Sequence, residues 1–334
     1  MAETKIEWTA TQRPDGYWAP GYTFNPWIGC TKVSAGCKNC YAEADMDNRR
    51  KRVVWGINGT RSVTAYGYWR QALKWNREAE AAGERRKVFC ASLADVFENW
   101  QGDIVNRNDE TLYWVDRDVM VMLGLHRRFI DVQGIPLFAQ STQKIDDTFR
   151  PMRLNDIREM LFWLIENTQN LDWLLLTKRP ENIMGMVPER WRGKFPKNVW
   201  IGTSVEDQEQ AGIRIPHLLK VPSFVRFISM EPMLSAVDLT KVTQTISPGY
   251  FGDCLQPYHI PLSEEHLPYP VIHMVIVGGE SGHNKRPFDA EWARSIMNQC
   301  FSTDTAFFMK QMDKKQPIPN DIFIRQFPKH VYTY

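Results

Sequence analysis

Trp173-Leu-Leu-Leu-Thr177, followed at once by Lys178-Arg179-Pro180, is a short apolar run that ends abruptly in charge. Its apolar residues are continuous rather than alternating, the pattern of a strand buried on both faces of a parallel sheet. Phe24–Ile28, Val88–Ser92, Val199–Ser204, Val225–Glu231, His273–Gly278 and Ala306–Met309 have the same character. Helical patterns lie between such runs, at Tyr68–Ala82, Asp156–Asn167 and Ala290–Cys300. Strand–helix alternation of this kind predicts an α/β barrel or an open wound sheet.

The strand endings carry the functional signal. Val199–Ser204 runs into Val205-Glu206-Asp207, Val225–Glu231 into Pro232, and Val275-Ile-Val-Gly-Gly-Glu280 into Ser281-Gly282. Any one of these is an ordinary turn or helix cap. Together they favour one shared site, because parallel α/β folds bind ligands at the carboxyl ends of their strands.

Two segments interrupt the alternation. Residues 103–150 join a charged start to apolar stretches at Val119–Leu125 and Phe129–Phe138. Residues 241–270 are rich in Pro, Gly, Tyr and acidic residues and read as a long loop. Insertions of this length serve as lids or binding loops.

Composition sets the outer limits. The chain has 334 residues, 43% hydrophobic and 24% charged, which suits an ordinary globular protein. A formal net charge of +2 does not announce a nucleic-acid binder. No apolar run reaches the roughly 18 residues of a membrane span, and Met-Ala-Glu-Thr-Lys-Ile-Glu-Trp has no apolar signal core. A cytoplasmic protein without membrane partners is expected. Thirteen tryptophans predict a deep aromatic core or a pocket lined by flat side chains.

Six cysteines are too few for a disulfide scaffold, and their distribution is uneven. Cys90, Cys254 and Cys300 are scattered, whereas Cys30, Cys37 and Cys40 form a C-x6-C-x2-C cluster. Ser34, Ala35 and Gly36 give the intervening loop small residues with which to fold back. Zinc wants a fourth ligand, and neither a second Cys-x2-Cys nor a close His pair is present. Three thiolates with one open position suit a [4Fe–4S] cluster whose fourth iron binds a cofactor. Three unrelated buried cysteines, or a zinc site completed by a distant ligand, are the alternatives.

Around these cysteines the sequence resembles the phage-associated three-cysteine proteins related to the radical S-adenosylmethionine (SAM) superfamily. The resemblance rests on Asn25-Pro-Trp-Ile-Gly-Cys30, the cysteines and Tyr41-Ala42. It continues in Leu176-Thr-Lys-Arg-Pro-Glu-Asn182, Trp200-Ile-Gly-Thr-Ser-Val-Glu206, Ser229-Met-Glu-Pro-Met233, Val275–Gly282 and Phe307-Phe-Met-Lys-Gln311. More distantly, the strand endings look like spore photoproduct lyase.

The resemblance implies a single α/β domain over residues 1–334, an incomplete (β/α)6 TIM-like barrel of the radical SAM type, with insertions at about 103–150 and 241–270. It implies cluster ligation by Cys30, Cys37 and Cys40, SAM on the open iron, and a reductant such as flavodoxin or ferredoxin. SAM would be cleaved to a 5′-deoxyadenosyl radical that abstracts hydrogen from a substrate.

Cofactor contacts carry over by position. Tyr41 belongs near the adenine, and Cys90-Ala-Ser-Leu-Ala-Asp95 replaces the superfamily's glycine-rich segment, bringing Ser92 and Asp95 to the methionine amine. Ser204 and Glu206 suit the ribose hydroxyls or that amine. Lys178 or Arg214 suits the carboxylate. Glu231 ends a strand at the same rim, and Gly278 and Gly279 let backbone approach the adenine. Cys90 is a candidate hydrogen-atom donor, although a buried small hydrophobe is the commoner role.

The spore-photoproduct-lyase likeness makes a nucleotide or nucleic acid a candidate substrate. Arg49-Arg-Lys-Arg52 and Glu84-Arg-Arg-Lys87 are basic runs available for phosphate, though a solvated helix end is the plainer reading. Two non-catalytic readings stand beside the enzyme. One is a zinc-stabilised nucleic-acid-binding protein, and the other is a cluster-containing interaction protein.

Overall fold

The computed structural model describes residues 3–13, 16–114, 144, 147, 149–247, 250–256, 271–282, 284–313 and 316–328. Seven strands form its main sheet: β1 (Tyr22–Phe24), β2 (Arg86–Cys90), β3 (Leu171–Thr177), β4 (Val199–Ser204), β5 (Val225–Met230), β6 (Met274–Gly278) and β7 (Ala306–Gln311). Their spatial order is their chain order, and each pairing is parallel. The sheet curls into a half-barrel with one strand more than the six that the resemblance implies.

Parallel neighbours need crossovers. The regular helices among them are α1 (Tyr66–Ala81) before β2, α2 (Leu154–Glu166) before β3, α3 (Gln208–Leu219) before β5 and α4 (Ala290–Phe301) before β7. Asp207 and Asp289 start α3 and α4 by accepting from the Gln210 and Glu291 amides, so the charge after β4 is partly a helix cap.

The expected first strand, Phe24–Ile28, is split. Tyr22–Phe24 joins the main sheet, while Trp27–Ile28 pairs antiparallel with Arg61–Val63. Pro26 has no N–H for a ladder, and the Asn25 amide turns aside to the Tyr68 hydroxyl at 3.2 Å. The second insertion is more than a loop, since Thr243–Ser247 and Tyr250–Asp253 form an antiparallel hairpin. Of the first insertion, Ile104–Val105 pairs with Arg61–Val63, and Tyr113–Trp114 pairs with Arg150–Pro151. The apolar stretches Val119–Leu125 and Phe129–Phe138 lie outside the described residues.

Strand alternation sorts side chains onto two faces. The outer face packs against the helices and holds Val88, Cys90, Trp173 and Ile201. The concave face holds Phe89, Leu174, Trp200, Phe227 and Ile276. Trp8, from the short turn Glu7–Thr9, fills that concavity, 2% exposed and edge-on to Phe89 at 4.7 Å. Glu7 anchors the turn through a two-pronged pair with Arg325, at 3.0 and 2.6 Å. Trp27, Trp69, Trp75, Trp173, Trp191 and Trp200 are also fully buried, so most of the tryptophan content is core.

The basic run at the start of β2 is not a free patch. Arg85 binds Asp172, Arg86 binds Glu84, and Lys87 is buried with its ammonium on the Ala10 carbonyl at 2.9 Å. In the other run, Arg49 and Arg50 both pair with Asp45. No helix among the described residues is long and apolar enough to cross a membrane.

Candidate functional site

A cavity of about 790 Å³ opens at the carboxyl ends of the strands. Its rim is the cysteine loop and the residues that follow β2, β3, β5 and β6, and its apolar side includes Ile6, Trp8, Phe89 and Leu176.

Gly29 turns the chain into the cysteine loop. Its φ of +114° is one that side chains avoid, and a Cβ there would meet the Thr60 carbonyl at 2.5 Å. Cys30 follows directly, Cys37 ends the turn Ala35–Cys37, and Cys40 precedes the turn Tyr41–Glu43. All three sulfur-bearing residues line the cavity, each a free, partly buried thiol. Desolvation raises the Cys30 and Cys40 thiols above the ordinary range. Glu98 and Asp95 push Cys30 further up, while Arg179 pulls it down. No group of three or more His, Cys, Asp or Glu placed to hold a metal ion occurs among the described residues.

Glu206 locks the cysteine loop to β4. Its Oε1 accepts from the Gly36 amide at 3.3 Å, and a Cβ on Gly36 would come within 3.0 Å of that carboxylate. Arg214 donates to Glu206 Oε2 at 2.7 Å and to the Ser204 carbonyl at 2.9 Å. Burial alone would raise the Glu206 carboxyl, but Lys178 and Arg214 outweigh it and hold it below its usual value. Arg214 is therefore a buried brace behind the loop and does not line the cavity.

The other expected contacts divide similarly. Tyr41, Ser92, Lys178, Ser204, Glu231 and Gly279 line the cavity. The Tyr41 hydroxyl donates to the Ser92 carbonyl at 2.6 Å, and Glu231 pairs with Lys310 at 2.6 Å. The Lys178 ammonium has no hydrogen-bond or ion-pair partner among the described residues. Asp95 also borders the cavity, but its carboxylate is fully engaged. Oδ1 accepts from Thr177 Oγ1 at 2.7 Å and the Phe97 amide at 3.0 Å. Oδ2 accepts from Arg179 at 2.7 Å and the Lys178 amide at 3.1 Å. Gly278 stands behind the wall, its carbonyl bound by the Met233 amide at 3.0 Å. Cys90 is fully buried in the helix-side core and is not among the cavity residues, because its neighbour Phe89 takes the concave face.

A family model described as "Protein of unknown function (DUF5131)" matches residues 3–108 and 138–322. The chain belongs to this family. No curated protein and no solved structure matches it. The matched segments contain every cavity residue named above and omit part of the first insertion.

Sequence reasoning missed several members of the site. Asn25 accepts from the Leu93 amide at 2.7 Å and donates to Ser92 Oγ at 3.1 Å, fastening the segment after β2 to the segment after β1. Asn39 donates to Glu280 at 3.0 Å and to the Asn284 carbonyl at 2.7 Å, and Arg286 reaches the Ala35 carbonyl at 3.0 Å. These contacts tie the cysteine loop to the end of β6. The sequence signal for Asn25 was its place in the Asn25–Cys30 lead, while Asn39 and Arg286 offered none.

Proposed function

We propose that this chain is a radical SAM enzyme in which Cys30, Cys37 and Cys40 hold a [4Fe–4S] cluster and SAM occupies the adjoining cavity. The carrying observation is selective. These three cysteines line the cavity, whereas Cys90, Cys254 and Cys300 are buried in the core. Thiolates of a cluster bind separate irons, so this reading does not require them to converge on one point as zinc ligands must.

A cluster held by Cys30, Cys37 and Cys40 would supply the electron for reductive cleavage of SAM. The chain's own residues bind and orient. Lys178, which lines the cavity and makes no direct ion pair among the described residues, pairs with the methionine carboxylate. Glu231 and Ser204 offer acceptors to the amine and the ribose hydroxyls. Gly279 lends backbone to the cavity wall, and Tyr41 borders the adenine. Trp8, Phe89 and Leu176 keep water from the opposite side of the cavity and suit a flat substrate group, with a nucleobase as the leading candidate. An electron-transfer protein of the flavodoxin or ferredoxin kind serves as reductant.

Anaerobic reconstitution is expected to give a brown protein with about four irons and four sulfides per chain. Reduction in the presence of SAM should release 5′-deoxyadenosine. Replacing any one of Cys30, Cys37 and Cys40 by Ala should abolish both, while Cys254→Ala should spare both. Stoichiometric zinc, or a colourless iron-free protein, would refute the reading.

A further inference from the structure

Behind Cys30 lies an ionic cluster that the cofactor contacts do not use. Arg61 donates to both carboxylate oxygens of Glu98 at 2.8 Å, and its Nη2 also reaches Thr31 Oγ1 at 2.9 Å. Arg158 binds the Val96 carbonyl at 2.6 Å and the Glu98 carbonyl. Arg179 binds Asp95 at 2.7 Å and the Thr31 carbonyl at 2.7 Å, and it lies 3.6 Å from Glu98. All five charged side chains are at least nine-tenths buried. Glu98 and Asp95 thus hold Arg61 and Arg179, while Arg158 is held by main-chain carbonyls.

Buried charges of this kind are tolerated because each is met by an opposite charge or by hydrogen bonds. The Cys30 sulfur lies 3.8 Å from Arg179 Nη1, within reach of an N–H···S hydrogen bond. Asp95 and Thr31 fix the guanidinium plane, so the N–H is presented to the sulfur without reorganisation.

We propose that Arg179 is a positioning residue for Cys30, and that it raises the reduction potential of the iron–sulfur cluster which Cys30 binds. This rests on the cluster reading above. Hydrogen bonds to ligand sulfur and nearby positive charge favour the reduced, more negative cluster. Asp95 then acts at one remove, by holding Arg179.

The test is a potentiometric titration, followed by electron paramagnetic resonance, of anaerobically reconstituted wild-type protein and Arg179→Gln, with iron counted in each. The variant is expected to keep the wild-type iron content and to show a more negative midpoint potential. An unchanged or more positive potential overturns the inference. If losing the partner of Asp95 prevents folding, Arg179→Lys keeps the charge but cannot serve Asp95, Thr31 and Cys30 together. It should shift the potential negatively by a smaller amount, and a wild-type potential in it overturns the inference equally. Wild-type protein that binds no iron overturns the function reading and this inference with it. An iron-loaded wild type whose potential survives the substitutions overturns this inference alone.

Discussion

Glu206 and Arg214 show how much can depend on one side chain that never touches a ligand. The carboxylate joins the Gly36 amide in the cysteine loop to a guanidinium that is itself 3% exposed. Glu206→Ala leaves that guanidinium buried without its counter-charge, and removing one partner of such a pair costs about 3–5 kcal/mol. Thermal or denaturant unfolding of the iron-free protein should show this loss. Gly36→Ala acts on the same contact from the other side, since its Cβ would press on the carboxylate. Lower iron retention with little change in apoprotein melting is expected for it. The sequence made the residue types at this rim legible but not their roles. Glu206, Arg214 and Asp95 looked like ligand contacts because each follows a strand or lies within reach of one. Only the fold shows that their polar atoms are already engaged by the protein. Arg179 and Cys30 are 149 positions apart, and no local pattern links them.

At the scale of elements, β5 and β6 are joined by a pairing that depends on acidity. His273, just before β6, accepts from the Arg226 amide through Nδ1 at 3.1 Å, and its own amide donates to the Arg226 carbonyl at 2.9 Å. Burial and the nearby Arg226 charge lower its pKa to about 4. Between about pH 6.5, the ordinary histidine value, and about pH 4, the unfolded chain takes up a proton that the folded chain refuses. Stability contributed by the neutral ring is therefore complete above that window and is lost as pH falls through it. The melting temperature should drop on acidification across this range, and His273→Gln, which cannot protonate, should flatten the drop. The strands themselves were legible because each is a continuous apolar run with a charged ending. The exceptions have physical causes. Pro26 ended the first strand early, and the hairpin at 243–253 was hidden by turn-rich composition in its surroundings.

Across the whole molecule, the half-barrel is completed on its concave side by the N-terminal segment rather than by further strands. Trp8 is the residue that fills it, and Trp8→Ala should cost about 3–5 kcal/mol, as large aromatic deletions in cores do. The same variant widens the cavity, because Trp8 lines it. Equilibrium unfolding measures the first effect and binding of SAM or a competing nucleoside the second. Strand composition alone pointed to a barrel or an open sheet. It gave no hint that a segment with so little regular structure would be part of the wall.

That wall also sets an order of assembly. Trp8 precedes every strand of its seat, which spans β2 to β7, and the pair that anchors its turn joins Glu7 to Arg325. On a ribosome Trp8 can meet Phe89 of β2 first, but its seat is complete only once β7 and Arg325 have emerged. The wall at Trp8 is thus finished only after β7 is in place, and a chain stalled before Arg325 would lack the pair that anchors Glu7.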